Sequence, residues 1–269
     1  MAEKGMSVCV TGAGGYVASW LIKLLVSQGY TVHGTVRNPE DDKNAHLLSF
    51  ENAAEKLRLF KADLLDFDSI LAAVKGCDGL FHVASPTPSA SVSNPEVEVV
   101  EPAVKGTLNV LKACSAANVS RVVVVSSCVA VVMNPNWPKG KVLDESCWSD
   151  TDYCRRTNNW YYYSKTAAES EARKYAETNG LDLITVCPSL VLGPMLQRTP
   201  NSTSLFLLKL LKVKEIYPNY DYPKRFKEGK ELPQLSSEKL QGLGWKYNPL
   251  KETLADSVEN YKEKGLVNS

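Results

Sequence analysis

Positions 158–169 read NNWYYYSKTAAE, three consecutive tyrosines shortly before Lys165. On a helix, residues three or four apart share a face. That spacing places both Tyr161 and Tyr162 with Lys165 and turns Tyr163 away. A free phenol titrates near pH ~10. A neighbouring ammonium favours phenolate, so the tyrosine is expected to titrate closer to neutrality. It could then give its proton to a carbonyl oxygen as hydride reaches the carbon. The developing oxyanion needs a donor, and RVVVVSS (121–127) ends in two hydroxyls, Ser126 and Ser127. The competing reading is an aromatic packing cluster beside a strand-end serine.

A second cluster suits a phosphate. VCVTGAGGYVASWLIKLL sets Gly12, Gly15 and Ala18 between a strand-like run and a helical one. This spacing is shifted from the G-x-G-x-x-G/A pattern, but the physics is shared. Small residues let the backbone approach a pyrophosphate, and the helix N-terminus offers free N–H groups. Thr11, Gly14, Tyr16 and Val17 complete the candidate loop. Some 20 residues on, an NAD site usually carries an acid. Here HGTVRNPEDDKN supplies Arg37 and Lys43 instead, which suits a 2′-phosphate and favours NADPH over NADH. Asp63, followed by Leu64, could accept from an adenine amino group. Val83, Ala84 and Ser85 end another strand near the expected phosphates or ribose. His82 reads as a satisfied core histidine.

The elements that must hold these residues alternate. Strands are expected at 6–11, 31–37, 57–62, 79–84, 121–127 and 182–188, with helical spacing at 16–29, 68–76 and 98–118. Alternation argues for a parallel sheet, and near-continuous apolar strands argue for helices on both faces. The expected class is therefore α/β, a doubly wound parallel sheet of the Rossmann type. A net charge of +1 gives no reason to expect nucleic acid or an acidic membrane as partner. The chain opens almost directly into a strand, leaving no room for a signal peptide, and no apolar run reaches membrane-spanning length. Seven scattered cysteines without a C-x-x-C pair suit the reducing cytoplasm and no metal. A local Cys147–Cys154 bridge is the one disulfide considered.

TGAGGYVAS, VVVVSSCVAVV, NWYYYSK and TVCPSLVLGP together resemble the extended short-chain dehydrogenase/reductase superfamily. NPNWP, DESCWSD, NNWYYYSKTAAE and SSEKLQGLGWKY narrow the resemblance to the plant cinnamoyl-CoA reductase and dihydroflavonol reductase family, over nearly the whole chain. The superfamily's Tyr-x-x-x-Lys selects Tyr161 with Lys165, and its serine is the second of the pair, Ser127. The resemblance implies that Lys165 also bonds the nicotinamide ribose. It places Pro188, Leu190 and Val191 beside the nicotinamide, and Asn109 as a fourth member of the tetrad. Thr203 is a further candidate cofactor contact. The chain departs from the family after Gly193-Pro194, where family members continue with a helix, a strand, a further helix and a second strand, and here SLFLLKLLKV runs straight into KEIYPNYDYPKRF. Leu205, Leu208, Leu211 and Ile216 are expected to continue one fused helix, with no strand from Leu205 to Ser269. Tyr162-Tyr163-Ser164 also stands where cinnamoyl-CoA reductases often carry Cys-Tyr-Gly.

The expected organisation is a dinucleotide-binding domain over 1–192 and a reduced, mostly helical substrate lobe over 193–269. The implied function is NADP(H)-dependent reduction of a phenylpropanoid-type carbonyl on a small-molecule substrate, by a monomer or weak homodimer. The alternatives are a catalytically impaired cofactor-binding remnant and sugar-nucleotide epimerisation.

Overall fold

The structure is a computed structural model that describes residues 5–85, 92–216 and 234–267. Six strands form one sheet: β1 (Ser7–Thr11), β2 (Thr31–Val36), β3 (Leu57–Lys61), β4 (Gly79–His82), β5 (Arg121–Val125) and β6 (Leu183–Val186). Every pairing is parallel and the order is β3-β2-β1-β4-β5-β6. All six expected strands are present, each with slightly later starts or earlier ends. The helices are α1 (Tyr16–Ser27), α2 (Ala45–Leu48), α3 (Ala53–Lys56), α4 (Phe67–Val74), α5 (Glu101–Ala116), α6 (Thr151–Arg156), α7 (Trp160–Asn179), α8 (Ser202–Ile216), α9 (Glu238–Gly242) and α10 (Leu250–Glu263). A π-helical turn, Glu96–Val100, leads into α5, where Pro102 lies in the first turn.

The double winding follows from strand alternation. Successive side chains of a strand point to opposite faces. In β1, Cys9 enters a core with Ile70, Val74, Leu80, Val110, Leu111, Val122 and Ala172, beneath α4, α5 and α7. Val8 and Val10 enter the other core with Ala18, Ile22, Val26, Val32 and Leu47, beneath α1 and α2. Each fully buried Ile or Leu among these contributes about 1.5–3 kcal/mol. The strand order reverses between β1 and β4, so a crevice opens at their carboxyl ends, where open α/β sheets bind ligands.

The chain divides into two compact units. The first is 1–135 with 148–189, and the second is 136–147 with 190–269. This differs from the single cut expected at 192/193. The segment 136–147 joins the C-terminal unit because Leu143 bridges Leu235 in parallel, with Leu143 N–H donating to Gln234 O and Ser236 N–H to Leu143 O, both at 2.8 Å. So local periodicity could not assign it. Among the described residues of the C-terminal unit, the regular elements are α8, α9 and α10, apart from that bridge. α8 spans the Leu205–Ile216 stretch expected as one helix. Cys147 and Cys154 are both free, buried thiols, so the local bridge considered for them does not form.

Candidate active site

The glycine loop follows β1 directly. Gly12 has φ +69, and a Cβ there would stand 3.0 Å from Ala84 Cα, so the close approach of two backbones requires glycine. Ala13 N–H donates to Thr35 O at 2.9 Å and Gly12 N–H to Thr35 Oγ1 at 3.2 Å, tying the loop to β2. Gly15 caps α1 without a side-chain bond, and no acid lies in the first turn. The N-terminal dipole end of α1 is thus left for an anion. Asn44, buried at the loop's flank, has its Oδ1 against Gly14, where any Cβ would collide with it.

Thr11 organises the crevice between β1 and β4. Its hydroxyl accepts from Val83 N–H and Ala84 N–H, each at 3.1 Å, and meets His82 Nδ1 at 2.9 Å. His82 Nε2 reaches Thr107 Oγ1 at 3.3 Å, so this histidine is indeed a satisfied core residue. Arg37 and Lys43 are exposed beyond β2. Lys43 pairs with Asp41 at 2.7 Å, and both cations help hold the Asp41 carboxyl below its ordinary range, chiefly through the hydrogen bonds of Lys43. Asp63 lies just beyond β3 and accepts from Leu65 N–H at 2.9 Å. Asn109 donates its amide to Leu64 O at 2.9 Å, bracing that same turn. The structure therefore gives Asn109 a bond at the β3 end. Tyr16 and Val17 open α1, and Ser85 follows β4.

The end of β5 is pinned to the end of β6. Ser126 N–H donates to Val186 O at 2.8 Å and Cys128 N–H to Pro188 O at 2.9 Å. Between them Ser127 caps a short 3₁₀ turn. Its hydroxyl stands beside the Tyr161 phenol, and Lys165 follows one turn later on α7. Tyr163 faces elsewhere: its hydroxyl accepts from Arg155 at 3.2 Å, under the guanidinium. Spacing alone left Tyr162 open, but the tyrosine that the structure brings to Ser127 is Tyr161. Leu190, Val191 and Thr203 lie in the C-terminal unit, where the Thr203 hydroxyl donates to Val191 O at 2.7 Å.

One electrostatic expectation is overturned. Tyr161 is 41% exposed as a whole residue, yet partial burial still pushes its phenol above the ordinary tyrosine range, while the Ser127 hydroxyl acts in the opposite sense. Lys165 is not among the groups acting on it. Lys165 itself is lowered by burial, and its leading charged partner is Glu169, four residues along the helix. Glu169, fully buried, was missed in the sequence; its i+4 spacing from Lys165 was the available signal.

The family model for the NAD dependent epimerase/dehydratase family matches residues 8–219. The chain belongs to that family. This member of the NAD dependent epimerase/dehydratase family is 41% identical to cinnamoyl-CoA reductase 1 of Petunia hybrida, over 97% of this chain and 93% of that protein. The alignment runs over 316 positions, whereas 97% of 269 residues is about 261. About 55 aligned positions therefore have no residue here, consistent with an internal block that the relative carries and this family member lacks. Among solved structures, vestitone reductase from alfalfa (Medicago sativa) is similar at TM-score 0.79 and 30% identity, covering 97% of this chain and 99% of that one. The yeast methylglyoxal/isovaleraldehyde reductase complexed with NADPH shares the fold at TM-score 0.79 and 22% identity, covering 97% of this chain and 100% of that one. Among the described residues, no helix of this family member is long and apolar enough to cross a membrane.

Proposed function

We propose that this chain is an NADPH-dependent reductase of a phenylpropanoid-type carbonyl: a cinnamoyl-CoA ester, an aldehyde or a ketone. The observation that carries the reading is the Tyr161 phenol beside the Ser127 hydroxyl, one turn from Lys165, at the carboxyl ends of the parallel strands. The residues present fit the cofactor. Thr11 to Val17 would hold the pyrophosphate, on an α1 N-terminus free of acidic side chains. Arg37 and Lys43 would take the 2′-phosphate, Asp63 and Leu64 the adenine, and Val83, Ala84 and Ser85 the adjoining ribose and phosphates. When bound, NADPH supplies the hydride. Ser127 donates a hydrogen bond to the carbonyl oxygen and orients it. Tyr161, which like any phenol carries its proton at neutral pH, gives that proton to the oxygen. Lys165 would hold the nicotinamide ribose. The partner is a small molecule, the chain a monomer or weak homodimer, and the compartment the cytoplasm, in keeping with free cysteines throughout the described residues.

The test is NADPH and NADH titration of the purified chain beside a screen of hydroxycinnamoyl-CoA esters, hydroxycinnamaldehydes and dihydroflavonol-type ketones. Tighter NADPH binding and its oxidation by one class supports the reading. Binding of neither cofactor overturns it.

A second reading is favoured by a specific observation. β6 is the sheet's outer strand, with β5 as its paired neighbour among the described residues, and Ile184 on it is 42% exposed. Together with the missing block, this supports a chain that keeps the cofactor site but has impaired turnover.

A further inference from the structure

We propose that Glu169 is a positioning residue for Lys165, its buried carboxylate sustaining the charge of the lysine ammonium from one helical turn beyond; this rests on the reductase reading above. Both residues lie on α7 at i,i+4 spacing, which puts them on one face. The Glu169 side chain is 1% exposed, against 43% for Arg173, its ion-pair partner. That pair is long. Arg173 approaches Oε1 at 3.3 and 3.4 Å, beyond the ~2.7–2.9 Å of a strong charge-assisted bond. The guanidinium is engaged elsewhere, donating to Thr185 Oγ1 at 3.0 Å and lying 4.5 Å over the Trp148 ring. A buried carboxylate so loosely held by one cation is available to another.

Lys165 is faced by groups from several elements. Burial works against its charge, Glu169 works for it, and Cys187 follows. Cys187, beyond β6, gives its thiol hydrogen to Glu169 Oε2 at 3.6 Å, and its pKa is pushed up to about 12, first by burial and then by Glu169. It therefore remains a neutral thiol at working pH. His82 on β4 is held down to about 3 by burial and then by Lys165, so it is a neutral imidazole. Tyr161 is raised and neutral. Among these groups, Glu169 is the one that brings negative charge to Lys165. Without it, the buried amine would lose its proton at lower pH, and with it the charge that would grip the ribose.

The experiment follows NADPH binding by cofactor fluorescence at pH 7 and pH 9, with the pH profile of turnover alongside, in the full chain. In Glu169→Gln, an isosteric loss of charge, affinity at pH 7 stays within about twofold of wild type. It then falls at least about fivefold more than wild type between pH 7 and 9, and turnover declines at lower pH. Glu169→Asp keeps the charge and the wild-type profile. Should Glu169→Gln fail to fold, the double variant Glu169→Gln, Arg173→Met removes both members of this ion pair and is expected to show the same fall. The same pH dependence in the Gln variants and wild type would overturn the inference and leave the reductase reading standing. Absence of NADPH binding to wild type at either pH would overturn the reductase reading, and this inference with it.

Discussion

The Thr11 hydroxyl and His82 Nδ1 lie 2.9 Å apart, on register partners at the carboxyl ends of β1 and β4. Thr11 already accepts from two backbone N–H groups, so its own proton goes to Nδ1. That leaves the imidazole proton on Nε2, donated to Thr107. A neutral histidine thus locks the two strands together where their order reverses. Burial, followed by the charge of Lys165, lowers its pKa from 6.5 to about 3.

This lock makes stability depend on pH. His82 is depressed on folding, so its contribution is full above the unfolded value of 6.5 and is lost as pH falls toward about 3. Between pH 6.5 and pH 5 the loss is about 2 kcal/mol. Urea denaturation at pH 7 and pH 5 measures it. His82→Gln is expected to flatten the pH dependence, and an unchanged slope would show that His82 does not titrate as described.

Cofactor preference is expected to rest on Arg37, with Asp41 opposing it. Loss of a charge-assisted phosphate contact is worth roughly 1.5–3 kcal/mol, so Arg37→Ala should reduce the preference for NADPH over NADH by about tenfold or more. Asp41 pairs with Lys43 at 2.7 Å and competes with a phosphate for it. Asp41→Asn should therefore tighten NADPH binding, by a few-fold. Equal affinities for the two cofactors in wild type would remove the assignment.

The three tyrosines should separate cleanly. Tyr161→Phe is expected to bind NADPH and lose turnover by about a hundredfold or more. Tyr162→Phe should keep most activity, and so should Tyr163→Phe, whose hydroxyl is occupied by Arg155. Because the Tyr161 pKa is raised, kcat/KM should show no fall from this group until pH exceeds the ordinary tyrosine range. Steady-state reduction kinetics decide this. A dead Tyr162→Phe would mean that the other tyrosine supplies the proton. These measurements use the chain itself, or a full-length relative if turnover is too low.

The missing block should be visible in stability. Each ~200 Å² of apolar surface left uncovered forgoes about 5 kcal/mol at ~25 cal/mol/Å², and an unpaired strand edge invites association. Reinsertion of a relative's segment is expected to raise the melting temperature and turnover and to reduce aggregation. Identical melting curves and rates with and without the segment would show that the absent residues do not matter.

Alternation of β-branched runs and helical spacing, by itself, determined six parallel strands, their order of appearance and both covered faces. That is local chemistry, since each strand's period and each helix's stripe are written in adjacent residues. The glycine loop was legible for the same reason: Gly12 must turn within a few positions of Thr11, and its neighbours are its sequence neighbours. Tertiary structure decided what depends on distant pairs. It chose Tyr161 over Tyr162 by bringing it beside Ser127, 34 residues earlier in the chain. It gave Asn109 to Leu64, and joined 136–147 to the C-terminal unit through Leu143 and Leu235. Above all it reversed the expected shift of Tyr161. Spacing can place an ammonium on the same helical face, but only packing decides how far each group is removed from water and which charge it faces. Here burial raises the phenol, and the buried Glu169 faces the lysine.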